Sequence, residues 1–146
     1  MKIDAIEILL VEDNDDDAEL TIRALKKVNM ANKLVHVKDG SEAIDLLFGR
    51  GSYKSNSLPN LPKVILLDIK MPKINGIEVL RQIKTNESTK RIPVVIMTSS
   101  KEQQDLINSY DLGVNSYVVK PVEFLSFAKA VSELGLYWLL VNETPY

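Results

Sequence analysis

Three acidic residues stand directly after short apolar runs. Glu12 and Asp13 follow Ile6–Val11, and Asp68 follows Val64–Leu67. Carboxylates brought together repel, and at least one is driven toward its protonated form unless a cation compensates. A hard divalent cation with oxygen ligands is the natural compensation, and Mg2+ suits a few carboxylates completed by water and phosphate oxygens. Two more groups stand at the ends of similar runs: Thr98 after Pro93–Met97 and Lys120 after Ser116–Val119. A hydroxyl and an ammonium there can hold a phosphoryl group, and the ammonium also offsets the acids. Singly, each has an ordinary role, since a strand-end threonine is usually a turn or cap and a strand-end lysine is usually solvated. Asp15, Asp16 and Asp17 open a helical segment and read as first-turn acids that complement the helix dipole. His36, the one histidine, lies inside an apolar run and reads as structural. Pro121 follows Lys120; X–Pro bonds accept both isomers, and a cis bond would fix the angle of the lysine.

The runs that must position these groups are Ile6–Val11, Leu34–Val37, Val64–Leu67, Pro93–Met97 and Ser116–Val119. Three are almost continuously apolar, as expected of strands buried on both faces. Between them the apolar residues take helical spacing: Ala18, Ile22, Leu25 and Val28; then Ile77, Leu80 and Ile83; then Phe124, Phe127, Ala128, Val131, Leu134 and Trp138. Weaker helical patterns cover Ser41–Phe48 and Glu102–Tyr110. Strand–helix alternation repeated five times predicts a parallel sheet with helices on both faces and right-handed crossovers. In such sheets sites form outside the carboxyl ends of the strands, at the switch point of the topology. If the first and third strands are neighbours, the acids converge there. Residues 49–63, rich in Gly, Ser, Asn and Pro, form a long surface connection.

The length of 146 residues predicts a single domain, with a core over about 5–140 and no room for an output domain. Hydrophobic residues make up 45% and charged residues 26%, an ordinary balance for a globular chain. The formal net charge of −2 weighs against a dedicated nucleic-acid binder. No apolar run approaches the ~20 residues of a membrane span, and the N-terminus has no signal-peptide pattern. A cytoplasmic protein is the expectation. The absence of cysteine removes disulfides, iron–sulfur clusters, cysteine-ligated zinc and thiol nucleophiles. There is no Gly-x-Gly-x-x-Gly or Walker A sequence to cradle a nucleotide.

These residues resemble the receiver domain of two-component response regulators. The resemblance rests on ILLVED (8–13), VILLDIKMPKINGIEVL (64–80) with Met71, Pro72 and Gly76 spaced after Asp68, IPVVIMTSS (92–100) and SYVVKP (116–121). It implies a flavodoxin-like (βα)5 fold of strand order 2-1-3-4-5. It implies that Asp68 is the phosphoacceptor, served by a sensor histidine kinase. Mg2+ would be held by Asp13 directly, Glu12 through water, Asp68 and the backbone carbonyl of Lys70. Thr98 and Lys120 would bind phosphoryl oxygens, Tyr117 would turn inward when Thr98 moves, and the small Ser99 would leave room for a donor. Lys70 and Ser100 occupy the family's two variable positions that tune dephosphorylation. No enzymatic turnover is expected beyond self-catalysed phosphorylation and dephosphorylation.

The long 49–63 connection and the apolar tail Leu136–Val141 resemble the single-domain regulators that partner bacterial phytochrome-type histidine kinases. That likeness implies a homodimer through the face of the fourth helix, fifth strand and fifth helix. An aspartate-nucleophile phosphatase would carry a second Asp where Lys70 stands. A degenerate receiver acting as a constitutive interaction module is the alternative, and retention of Glu12, Asp13, Asp68, Thr98 and Lys120 argues against it.

Overall fold

In the computed structural model, which describes residues 7–26, 34–51, 61–69, 76–99 and 116–135, each of the five apolar runs contains a strand. These are β1 (Ile8–Val11), β2 (Leu34–Val37), β3 (Val64–Asp68), β4 (Val94–Thr98) and β5 (Ser116–Val119). The described helices are α1 (Asp15–Lys26), α2 (Gly40–Phe48), α3 (Gly76–Thr85) and α4 (Phe124–Glu133). The expected helix at 102–110 lies outside the described residues, so α4 is the helix that the sequence counts as its fifth. Most of the 49–63 connection and the tail 136–141 also lie outside them.

The five strands form one parallel sheet in the order β2-β1-β3-β4-β5. β1 thus lies between β2 and β3, and the chain leaves it first to one side and later to the other, which makes the switch point. Register then sets the site. Val11 is level with Leu67, so Glu12 and Asp68 come next on adjacent strands. Thr98 is level with Val119, so Lys120 begins one residue beyond it.

Successive side chains on a strand point to opposite faces, and both faces of this sheet are covered. Leu9, Val11, Ile65, Leu67 and Ile96 join Ala43 and Leu47 of α2 and Val79, Leu80 and Ile83 of α3 in one core. Ile8, Leu10, Val64, Leu66, Val95 and Met97 join Ala18 and Leu25 of α1 and Phe127 and Val131 of α4 in the other. Burial on both sides is why these strands read as continuous apolar runs.

Three element ends differ from the hydropathy pattern. β3 and β4 each run one residue further, to Asp68 and Thr98, because the ladder continues through polar residues (Asp68 level with Met97, Thr98 with Val119). The apolar stripe that reaches Trp138 in the sequence is interrupted: α4 ends at Glu133, and Gly135 takes φ 77°, a left-handed conformation that ends helices.

Phe127 is fully buried in the α1/α4 core. Phe127→Ala is expected to lose about 3–5 kcal/mol of stability through lost burial and a residual cavity. Leu125, on the same helix but 77% exposed, is expected to change by less than about 0.5 kcal/mol when replaced by Ala. Urea unfolding of the two variants checks the contrast.

Candidate functional site

Each chemically suggestive residue is placed by backbone pairing at the carboxyl edge of the sheet. Glu12 donates its N–H to the Val37 carbonyl at 3.1 Å, and its own carbonyl lies 2.7 Å from His36 Nε2. His36 therefore ties β2 to the end of β1, the structural role its sequence context suggests. Lys120 donates its N–H to the Thr98 carbonyl at 2.8 Å, which fastens the turn after β5 to the end of β4. The Lys120–Pro121 peptide is cis. Beyond Asp68, the chain passes close beneath the start of α3. A Cβ on Gly76 would stand 2.5 Å from Ile69 Cα and 2.6 Å from the Asp68 carbonyl oxygen, so only glycine fits.

Glu12, Asp13 and Asp68 offer carboxylate oxygens that all lie within 4.8 Å of one another. Glu12 is 1% exposed and Asp68 is also buried, whereas Asp13 faces solvent. The Lys120 ammonium reaches into this cluster, 2.7 Å from Glu12 Oε1, 3.1 Å from Asp68 Oδ2 and 3.3 Å from Asp17 Oδ2. Burial, reinforced by the neighbouring Asp68, pushes the Glu12 carboxyl up to about 8 despite the opposing pull of Lys120. Burial works against the Lys120 ammonium, but Glu12 and Asp68 outweigh it and hold it above its ordinary range. One ammonium does not balance this concentration of acid. Glu12 Oε2 and Thr98 Oγ1 are moreover buried with no hydrogen-bond partner. A buried oxygen left unpaired is costly unless something supplies the missing partner. The donor set is all oxygen, clustered and under-compensated, and so fits a divalent cation.

The structure thus brings together Glu12, Asp13, Asp68 and Lys120, with the buried Thr98 fastened to the backbone of Lys120. Tyr117 is half-buried on β5 and packs against the α2/α3 core. Ser99 is exposed beside Thr98. Lys70, Ser100, Met71 and Pro72 lie outside the described residues. Asp17 lies in the first turn of α1, as its reading as a helix-start acid requires, but its carboxylate has a second role. The cap of α1 is supplied by Asn14, whose Oδ1 accepts from the Asp17 N–H at 2.9 Å, and the Asp17 side chain goes to Lys120 instead. Its one sequence signal was its place one helical turn after the Glu12–Asp13 pair. Asp15 pairs across the surface with Lys38 at 3.4 Å.

A family model described as the response regulator receiver domain matches residues 8–132. The chain is 41% identical over 138 residues to the response regulator Rcp1 of Synechocystis sp., covering 94% of this chain and 92% of that protein. The solved structure of the bacteriophytochrome response regulator AtBRR is 52% identical, with a TM-score of 0.87 over 96% of this chain and 99% of that one. The Mn2+-bound structure of Rcp1 superposes with a TM-score of 0.72 at 38% identity, over 97% of this chain and 99% of that one.

The crowding of acids yields a stability prediction. Glu12→Gln removes a carboxyl that must either take up a proton or stay ionised in a buried site, and its amide can donate to Asp68. In chelator at about neutral pH the variant is expected to be more stable than wild type by on the order of 1 kcal/mol. Saturating Mg2+ is expected to reverse the order, because only the carboxylate gains from the cation. Denaturant midpoints under the two conditions check both statements.

Proposed function

The chain belongs to the response regulator receiver family, and from that premise we propose that Asp68 is its phosphoacceptor. The family's phosphoaspartate switch is the function, and its partner is a histidine kinase. The observation that carries the assignment is the convergence on Lys120. Its ammonium contacts the Asp68 carboxylate at 3.1 Å and Glu12 at 2.7 Å, and its backbone N–H is held by the carbonyl of Thr98, whose buried hydroxyl has no partner.

Asp68 acts as a carboxylate nucleophile. Its oxygen forms the new bond to phosphorus while the bond to the kinase's phosphohistidine nitrogen breaks, and that nitrogen keeps the electron pair. Such transfer depends on in-line placement and charge neutralisation more than on covalent help. Lys120 pairs with one phosphoryl oxygen and Thr98 donates its hydroxyl to another, which gives that buried oxygen a partner. Asp13 directly, Glu12 through water, Asp68 and the Lys70 carbonyl would hold Mg2+, which when bound neutralises phosphoryl charge. The exposed Ser99, being small, leaves the donor an approach. No turnover beyond self-phosphorylation and self-dephosphorylation is assigned.

Output follows from population shift, since a phosphoryl group biases two arrangements only by its different contacts with each. Movement of Thr98 onto the phosphoryl group lets Tyr117 turn inward and remodels the face of β5 and α4. A surface cavity of about 370 Å3 lies on that side, lined by Tyr117, Val119, Ser126, Lys129 and Glu133 among others. We assign that face to a homodimer and the phosphoryl donor to a phytochrome-type kinase; likeness to AtBRR and Rcp1 supports the latter. The chain is read as one cytoplasmic domain that signals by protein contact or relay.

Intact mass after incubation with Mg2+ and acetyl phosphate tests the acceptor. Wild type is expected to gain one phosphoryl group and Asp68→Asn none. Lys120→Ala is expected to slow the gain about a hundredfold, as when a preorganised charge is removed. Sizing of the same samples reports self-association. A wild type that neither takes the label nor binds beryllofluoride would contradict the assignment and favour a constitutive interaction module.

A further inference from the structure

An ammonium has three N–H donors, and those of Lys120 have three carboxylates to serve: Glu12 at 2.7 Å, Asp68 at 3.1 Å and Asp17 at 3.3 Å. The Asp17 contact is the longest, and it joins residues 103 apart in sequence. It is not a by-product of helix capping. Asn14 caps the Asp17 N–H, and Thr21 donates its hydroxyl to the Asp17 carbonyl at 2.9 Å. With its backbone held from both sides, the residue has its carboxylate free to reach across to β5.

A phosphoryl group on Asp68 brings new oxygens that need a donor from Lys120. Asp68 itself gives up its carboxylate charge on modification, but the phosphoryl group brings more negative charge than that carboxylate carried and competes with Glu12 and Asp17 for the ammonium. Glu12, 1% exposed, has no water to replace the lost contact, so giving it up would leave a buried polar group unpaired, which is strongly unfavourable. Asp17 has a side chain 40% exposed, and water can solvate it at once when the contact breaks. Its negative charge also repels any incoming phosphoryl dianion.

We propose that Asp17 is a positioning residue of the phosphoryl site: it holds the Lys120 ammonium in the unmodified protein and is exchanged for a phosphoryl oxygen when Asp68 is modified. Asp17 thereby sets how tightly the site takes a phosphoryl group. The proposal deepens the phosphoacceptor reading and rests on it.

The test is beryllofluoride affinity at saturating Mg2+ for wild type, Asp17→Asn, Asp17→Glu and Asp16→Asn. Asp16 is a neighbouring exposed acid on the same helix turn and controls for simple loss of charge. Asp17→Asn is expected to bind the mimic about two- to fivefold tighter, the scale of a partly exposed ion pair, with the gain shrinking at high salt. Asp17→Glu, which keeps the charge, and Asp16→Asn are expected to stay at the wild-type value. A structural role alone would lower the unfolding midpoint of Asp17→Asn without tightening the mimic. Equal or weaker binding by Asp17→Asn, or an equal gain in Asp16→Asn, overturns this proposal while the phosphoacceptor reading stands. Failure of wild type to bind the mimic overturns both.

Discussion

The ammonium of Lys120 stands within 3.3 Å of three carboxylates carried by three different elements. Like charges held this close work against folding unless something opposes them, and Lys120 opposes them only in part. Much of the architecture can be understood as what it takes to keep that arrangement in place. Glu12 and Asp68 meet because β1 and β3 are paired in register. Lys120 reaches them because its backbone is fastened to Thr98 at the end of β4. The two apolar cores, one on each face, supply the stability that allows a strained polar edge.

That partial compensation is also what suits the edge to phosphoryl transfer. A site already neutral and fully hydrogen-bonded would have nothing to offer a cation or a phosphoryl group. Here Glu12 is pushed toward protonation, and Thr98 and one Glu12 oxygen lack partners. Each deficit corresponds to a contact that a divalent cation or a phosphoryl oxygen can make. Stability given up in the resting protein becomes difference in free energy between resting and modified states, and such a difference is what a switch requires.

The sequence made the sheet legible because its strands are buried on both faces, so each appears as an unbroken apolar run. The same feature set the error at the end of β3, whereas Thr98 reads as the end of β4 and is its last residue. Hydropathy stops at Asp68, while backbone pairing continues through it. The order of the strands was not in the alternation of elements and came from resemblance to a family. The site was legible because its members are polar residues at the ends of apolar runs. Asp17 escaped for a physical reason: an acid in the first turn of a helix already has a sufficient local explanation, and nothing in its neighbourhood points to a lysine on the far side of the sheet. The end of α4 escaped because apolar residues continue past the turn at Gly135. Lys70, used in the functional reading, and segment 102–110 lie outside the described residues.

The measurement closest to the centre of this account is a calorimetric titration of the metal-free protein with Mg2+, run beside Asp13→Asn. If the clustered acids are held ready for a cation, wild type binds one ion per chain and Asp13→Asn binds far more weakly with its fold intact. Equal affinity in the two proteins, or no binding by wild type, would contradict it and leave the crowding of carboxylates around Lys120 without the partner that explains it.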